Sequence, residues 1–87
     1  MPVPSFDDRP PASDKLTAYD ERHLVTYLRL LDAAEEGADW REIVTIIFQM
    51  DPKQGLAQAK TVYDSHLARA RWITEQGYRH LLRPSSA

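Results

Sequence analysis

Between Leu24 and Phe48 the chain reads LVTYLRLLDAAEEGADWREIVTIIF, two apolar-periodic runs joined at one glycine. Leu24, Tyr27, Leu28, Leu31 and Ala34 recur at steps of three and four. That spacing lays an apolar stripe along one side of a helix and requires a partner surface to bury it. Leu30 falls about 120° from the centre of the stripe, either a flank of the core or an exposed contact. Gly37 can take the positive φ that ends a helix. Asp39 can cap the next helix, with Glu42 at capping-box spacing. Two helices joined this closely, with a third to follow, are the elements of a helix-turn-helix domain.

The first helix is expected to start between Thr17 and Asp20, either of which can cap it, and to run to about Glu36. The second spans Trp40 to about Gln49. Its VTIIF run has strand propensity, but the capping signal before it and the lack of a second strand to pair with favour helix. The connection DPKQG is longer than the three- or four-residue turn usual in a helix-turn-helix, so an extended turn is implied. The third helix runs from about Leu56 to Gln76, with Gly77 as its stop and Leu56, Ala59, Tyr63, Leu67, Ala70 and Ile73 as its apolar face. Gln58, Thr61, Ser65, Ala68 and Trp72 lie opposite, on the side that would enter a DNA groove. Tyr78-Arg79-His80-Leu81-Leu82 then forms a short helical turn folding back on the core. The expected fold is all-α, a small helix-turn-helix variant with an extended turn, three main helices and a short C-terminal helical turn. Residues 16–83 form this domain, and residues 84–87 are a tail. Residues 1–15 hold four of the six prolines, with two serines and three aspartates, and read as a flexible arm, with Phe6 either docked on the core or solvated.

Eighty-seven residues, 43% of them apolar and 28% charged, describe one small folded domain. Without cysteine, disulfides and thiolate metal sites are excluded. No apolar run reaches the roughly 18 residues of a membrane span, and the N-terminus lacks a signal-peptide pattern, so a cytoplasmic protein is expected. Charge is unevenly distributed. Residues 1–51 carry eleven acids and five bases, and residues 52–87 two acids and six bases. Nucleic-acid-binding domains usually present a positive field, whereas this chain is acidic overall and basic only towards its end.

Catalytic chemistry has no visible constellation. His23, His66 and His80 lack partners at metal-ligand spacing. The serines have no nucleophile-type context, and the three glycines are too scattered to cradle a phosphate. Glu35 and Glu36, adjacent on a helix, point apart. Neither an enzyme, a cofactor, a metal nor a small-molecule ligand is expected. Trp40 reads as packing against the third helix. Trp72 lies away from the apolar face, either covered by Tyr78 and Leu81 or exposed as a protein-contact residue.

The run LRLLDAAEEGADWREIVTIIF followed by LARARWITEQGYRHLL, with Gly37, Arg41, Glu42, Ile43, Gly77, Tyr78, Arg79, Leu81 and Leu82 at the matching positions, resembles a proteobacterial family of extended-turn helix-turn-helix domains. The resemblance covers about residues 16–83. Members occur in transcriptional activators of integrative and conjugative elements, fused to a separate N-terminal domain. A stand-alone acidic chain is similar to the QseM-like quorum-sensing antiactivators of that family. The resemblance implies a bacterial protein that binds the activator's N-terminal domain in place of the activator's own helix-turn-helix domain, blocking conjugative transfer genes. Where DNA-binding members are more basic on the long helix, this chain has Asp64, Ser65 and His66, which favours the decoy role over DNA binding. The contact candidates are Tyr27, Leu30, Trp72, Tyr78 and Leu82. The alternative is a DNA-binding regulator reading a groove with Gln58, Lys60, Thr61 and Ser65 and holding phosphates with Arg69 and Arg71.

Overall fold

A computed structural model describes residues 6–77, and over that span the protein is all-α. Helix α1 spans Ala18–Arg22, α2 Leu24–Glu35, α3 Trp40–Ile47 and α4 Leu56–Trp72. A 3-10 turn, Pro52–Gln54, leads into α4, and a π-helical turn, Ile73–Gly77, follows it. The long α4 packs against both α2 and α3, which also pack on each other. Among the described residues no helix is long and apolar enough to cross a membrane.

Each boundary has a local cause. Thr17 opens α1 with a full capping box: its hydroxyl accepts the Asp20 N–H at 3.2 Å while the Asp20 carboxylate accepts the Thr17 N–H at 2.9 Å. Gly37, at φ 80°, ends α2 in a Schellman arrangement. Its N–H reaches the Ala34 carbonyl, and the Ala38 N–H reaches that of Ala33, both at 3.1 Å. Asp39 caps α3 by accepting the Arg41 N–H at 2.8 Å. The VTIIF run is helical, as its capping signal implies. However, α3 stops at Ile47, short of Gln49, which sits at φ 57° while the Met50 N–H turns back to the Val44 carbonyl at 3.2 Å. Asp51 then caps the 3-10 turn through the Lys53 N–H at 2.9 Å. This is the extended turn, with Pro52 buried beneath it.

Two expectations about the helices are corrected. The first helix is not continuous to Glu36 but is interrupted at His23 (φ −109°, ψ 17°), whose buried ring stacks on Tyr19 with 4.3 Å between centroids. No glycine or proline marks the break; packing of His23 makes it. The buried face of α2 is also turned by about one residue from the apolar stripe. Tyr27 and Leu30 are core, at 2% and 0% exposure, whereas Leu28 is 59% exposed. On α4 the interior positions are Ala59, Val62, His66, Leu67, Arg69 and Ala70, while Leu56 is exposed. Tyr63 is half-buried against Trp40, ring centroids 6.2 Å apart. The reason is the same on both helices. Polar residues (Asp20 and His23 on one side, His66 and Arg69 on the other) occupy core-facing positions that an apolar count leaves out.

The described part of the proline-rich arm lies on the helices rather than free of them. Phe6 is half-buried, edge-on to Phe48 with 4.9 Å between centroids. The Asp7 N–H donates to the Tyr19 hydroxyl at 3.0 Å. The Ser13 and Lys15 carbonyls both accept from Arg69. A segment too polar to form its own core orders here by accepting from donors on α4 and donating its Asp7 N–H to Tyr19 of α1.

Candidate functional site

In a helix-turn-helix the functional surface is the exposed side of the last long helix, so the surface of α4 decides what the domain can touch. Three of its six candidate groove residues are already engaged. Gln58 Nε2 donates to Asp8 Oδ1 at 3.1 Å, and the Ser65 hydroxyl donates to the Asp8 carbonyl at 2.9 Å. Arg69 is drawn inside, only 8% exposed, and makes a bidentate pair with the fully buried Asp20, Nε to Oδ1 at 3.0 Å and Nη2 to Oδ2. It is therefore not a phosphate contact, because its charge-assisted donors are consumed by a carboxylate and two backbone carbonyls. The side of α4 that remains open carries Lys60, Thr61 and Arg71 from the predicted set, together with Ala57, Asp64 and Ala68. Lys60 pairs with Asp64 at 3.2 Å and lies over the rings of Trp40 and Tyr63 at 5.0 and 5.4 Å. Among the described residues, the exposed bases Lys60 and Arg71 on this side are matched in number by the exposed acids Asp64 and Glu75.

The predicted protein-contact residues fare differently. Tyr27 and Leu30 are interior and offer no surface. Trp72 is half-buried, with the Arg69 guanidinium 4.1 Å from its ring centroid and Pro10, Pro11 and Ala68 lining a shallow hollow beside it. It lies on the arm side of α4, apart from the α2 positions. Tyr78 and Leu82 lie outside the described residues, as does the C-terminal turn expected to cover Trp72.

Beneath the arm is a buried polar network that sequence reasoning missed. Asp20 Oδ1 accepts from the Tyr27 hydroxyl at 2.9 Å as well as from Arg69, and Oδ2 accepts from the Thr17 hydroxyl at 3.0 Å. Burial works to raise the Asp20 carboxyl pKa, but hydrogen bonds from Arg69, Thr17 and Tyr27 outweigh it and hold the group below its ordinary value. Burial, reinforced by the hydrogen bond to Asp20, keeps the Tyr27 phenol far above its usual range. Next to this set, His66 Nδ1 lies 2.8 Å from the Val62 carbonyl, which can only accept, so Nδ1 carries the proton. Nε2 then accepts from the Tyr19 hydroxyl at 2.6 Å. Burial lowers the His66 pKa, consistent with a neutral ring in that role. Every member is a structural partner of another, and nothing in the set is presented to solvent as an acid or base. Among the described residues no group of three or more His, Asp or Glu side chains is placed to hold a metal ion.

The one signal for this network in the sequence was its spacing. Asp20, His23, Tyr27, Leu30 and Ala34 follow one helical face, and Ala59, Val62, His66, Ala70 and Ile73 follow another, once polar residues are admitted to the core.

No curated protein matches the chain. A family match spans residues 5–83, nearly the whole chain and including the docked arm. Three helices, an extended turn and a long fourth helix are the arrangement of a helix-turn-helix regulator. The chain belongs to the RovC DNA-binding domain family, described as the DNA-binding domain of a T6SS transcription factor.

Proposed function

We propose that this member of a transcription-factor domain family regulates transcription by protein contact, as an antiactivator, rather than by reading DNA. The observation that carries the reading is the loss of Arg69 to Asp20 in the interior. With Lys60 paired to Asp64 and Asp8 seated on Gln58 and Ser65, α4 keeps the shape of a recognition helix without its positive field. Phosphate contacts supply most of the affinity of such helices, so shape without charge suits a decoy. The resemblance to QseM-like antiactivators supplies the partner: the N-terminal domain of a transcriptional activator of conjugative transfer, occupied in place of the activator's own helix-turn-helix domain.

The second reading, a DNA-binding regulator, is favoured by the family's own description. It would use Lys60, Thr61 and Arg71 at the groove, with Gln58 and Ser65 available only after Asp8 leaves them. Two titrations separate the readings. Labelled full-length chain is titrated with the isolated activator N-terminal domain and, in parallel, with duplex DNA across a salt series. The antiactivator reading expects residue-specific amide shifts with the protein domain and none with DNA at low salt. DNA binding whose log affinity falls with log salt at about −0.9 per phosphate neutralised, with no response to the domain, would overturn it.

A further inference from the structure

With Tyr27 and Leu30 interior, the protein-contact reading needs another face, and the corner between α2 and α3 supplies one. Ile46 is 64% exposed in the last turn of α3, between a shallow hollow shared with α2 and a second one shared with the 3-10 turn, which Arg41, Asp51 and Lys53 also line. Such exposure is unusual for an isoleucine on a helix whose other apolar residues Ile43, Val44 and Ile47 are buried. Val25 and Leu28, 70% and 59% exposed, lie along the outward side of α2 that continues through Arg29 and Asp32 into the first hollow. The rim of that hollow carries Asp32, Glu36 and Glu42 against the single base Arg29. Glu36 stands at the C-terminal end of α2, where the helix dipole adds to the negative potential.

The geometry points to this corner as a docking surface for a segment of the activator domain that is apolar at its centre and basic at its flanks. The assignment rests on the protein-contact reading and names the chemistry of its partner. The apolar residue of that segment covers Ile46, burying surface that now faces water. Its lysines or arginines meet Asp32, Glu36 and Glu42. In such an interface the covered apolar group sets the lifetime of the complex, and the rim charges set encounter rate and salt dependence. A second copy of the chain is a poorer occupant, because its own corner brings the same acids face to face.

The test is amide-shift mapping on the full chain with three probes. They are an amphipathic Leu/Lys peptide, its Leu/Glu counterpart and the activator N-terminal domain. The expected result is shifts centred on Arg29, Asp32, Glu42 and Ile46 with the Leu/Lys peptide and the activator domain, and none with the Leu/Glu peptide. Glu36→Lys/Glu42→Lys should weaken both interactions about tenfold or more at low salt, and Ile46→Asp likewise. All three positions are exposed, so thermal unfolding should stay close to that of the parent chain and exclude misfolding. Activator-domain shifts confined to α4, or equal response to both peptides, would overturn the corner assignment while leaving antiactivation standing. Concentration-dependent shifts at the corner without any probe would assign it to self-association and overturn it too. If the Leu/Lys peptide docks at the corner but the activator domain binds nowhere, antiactivation fails and the basic-partner chemistry survives.

Discussion

At the scale of residues, the Asp20–Arg69 pair links the N-terminal arm and α1 to α4, across 49 positions of sequence. A buried carboxylate deprived of its guanidinium is expensive, so Arg69→Met is expected to destabilise the fold by about 3–5 kcal/mol, measured by urea unfolding. The same residues set a pH dependence. His66 is lowered below its ordinary value of 6.5 in the fold, so the unfolded chain takes up its proton first as pH falls. Stability is full above about pH 6.5 and declines as pH drops below it towards the folded pKa. Asp20 is also lowered, from 3.8, and its contribution is lost only as pH falls through the carboxylate range and below. The expected urea midpoint is therefore flat from pH 8 to about 7 and falls in two stages on acidification. His66→Gln should abolish the first stage and spare the second. A midpoint that rises between pH 7 and 5.5 would refute the assignment of a neutral His66.

At the scale of elements, most boundaries follow from caps. Gly37 is the sharpest case, because it sits at φ 80° with nothing within 4 Å of where a Cβ would stand. Gly37→Ala should thus cost only the backbone term, about 1 kcal/mol, with Gly37→Asn costing less. A loss of several kcal/mol would mean that α2 and α3 depend on the glycine for packing. These caps were legible in the sequence, since Asp39 and Gly37 act locally and their geometry needs only neighbouring atoms. The break at His23 and the turned faces of α2 and α4 were not legible. They depend on Asp20, His23, His66 and Arg69 finding one another inside, which no periodicity of apolar residues expresses.

At the scale of the molecule, the described residues 6–15 of the arm pack on the helices, and this bears on function as well as stability. Phe6→Ala removes a half-buried ring edge-on to Phe48 and is expected to cost about 1–2 kcal/mol. It should also raise the hydrogen-exchange rates of the Asp7 amide, which donates to Tyr19. Unchanged stability would place the arm's docking energy in its hydrogen bonds to Tyr19, Gln58, Ser65 and Arg69.

The sequence by itself determined the class of fold, the extended turn, the caps at Gly37 and Asp39, and the acidic first half. Each is a local property, set by side chains acting on their own backbone or by counted charge. Tertiary structure alone decided which of the candidate residues remain available. Arg69 was read as a phosphate ligand and Leu30 as off the stripe, because helix position does not say what stands opposite. Asp20 lies opposite Arg69, and a buried carboxylate binds a guanidinium more tightly than solvent does once both are excluded from water. That pairing withdraws the Arg69 charge from the surface of α4, while Ile46 stays exposed beside Asp32, Glu36 and Glu42.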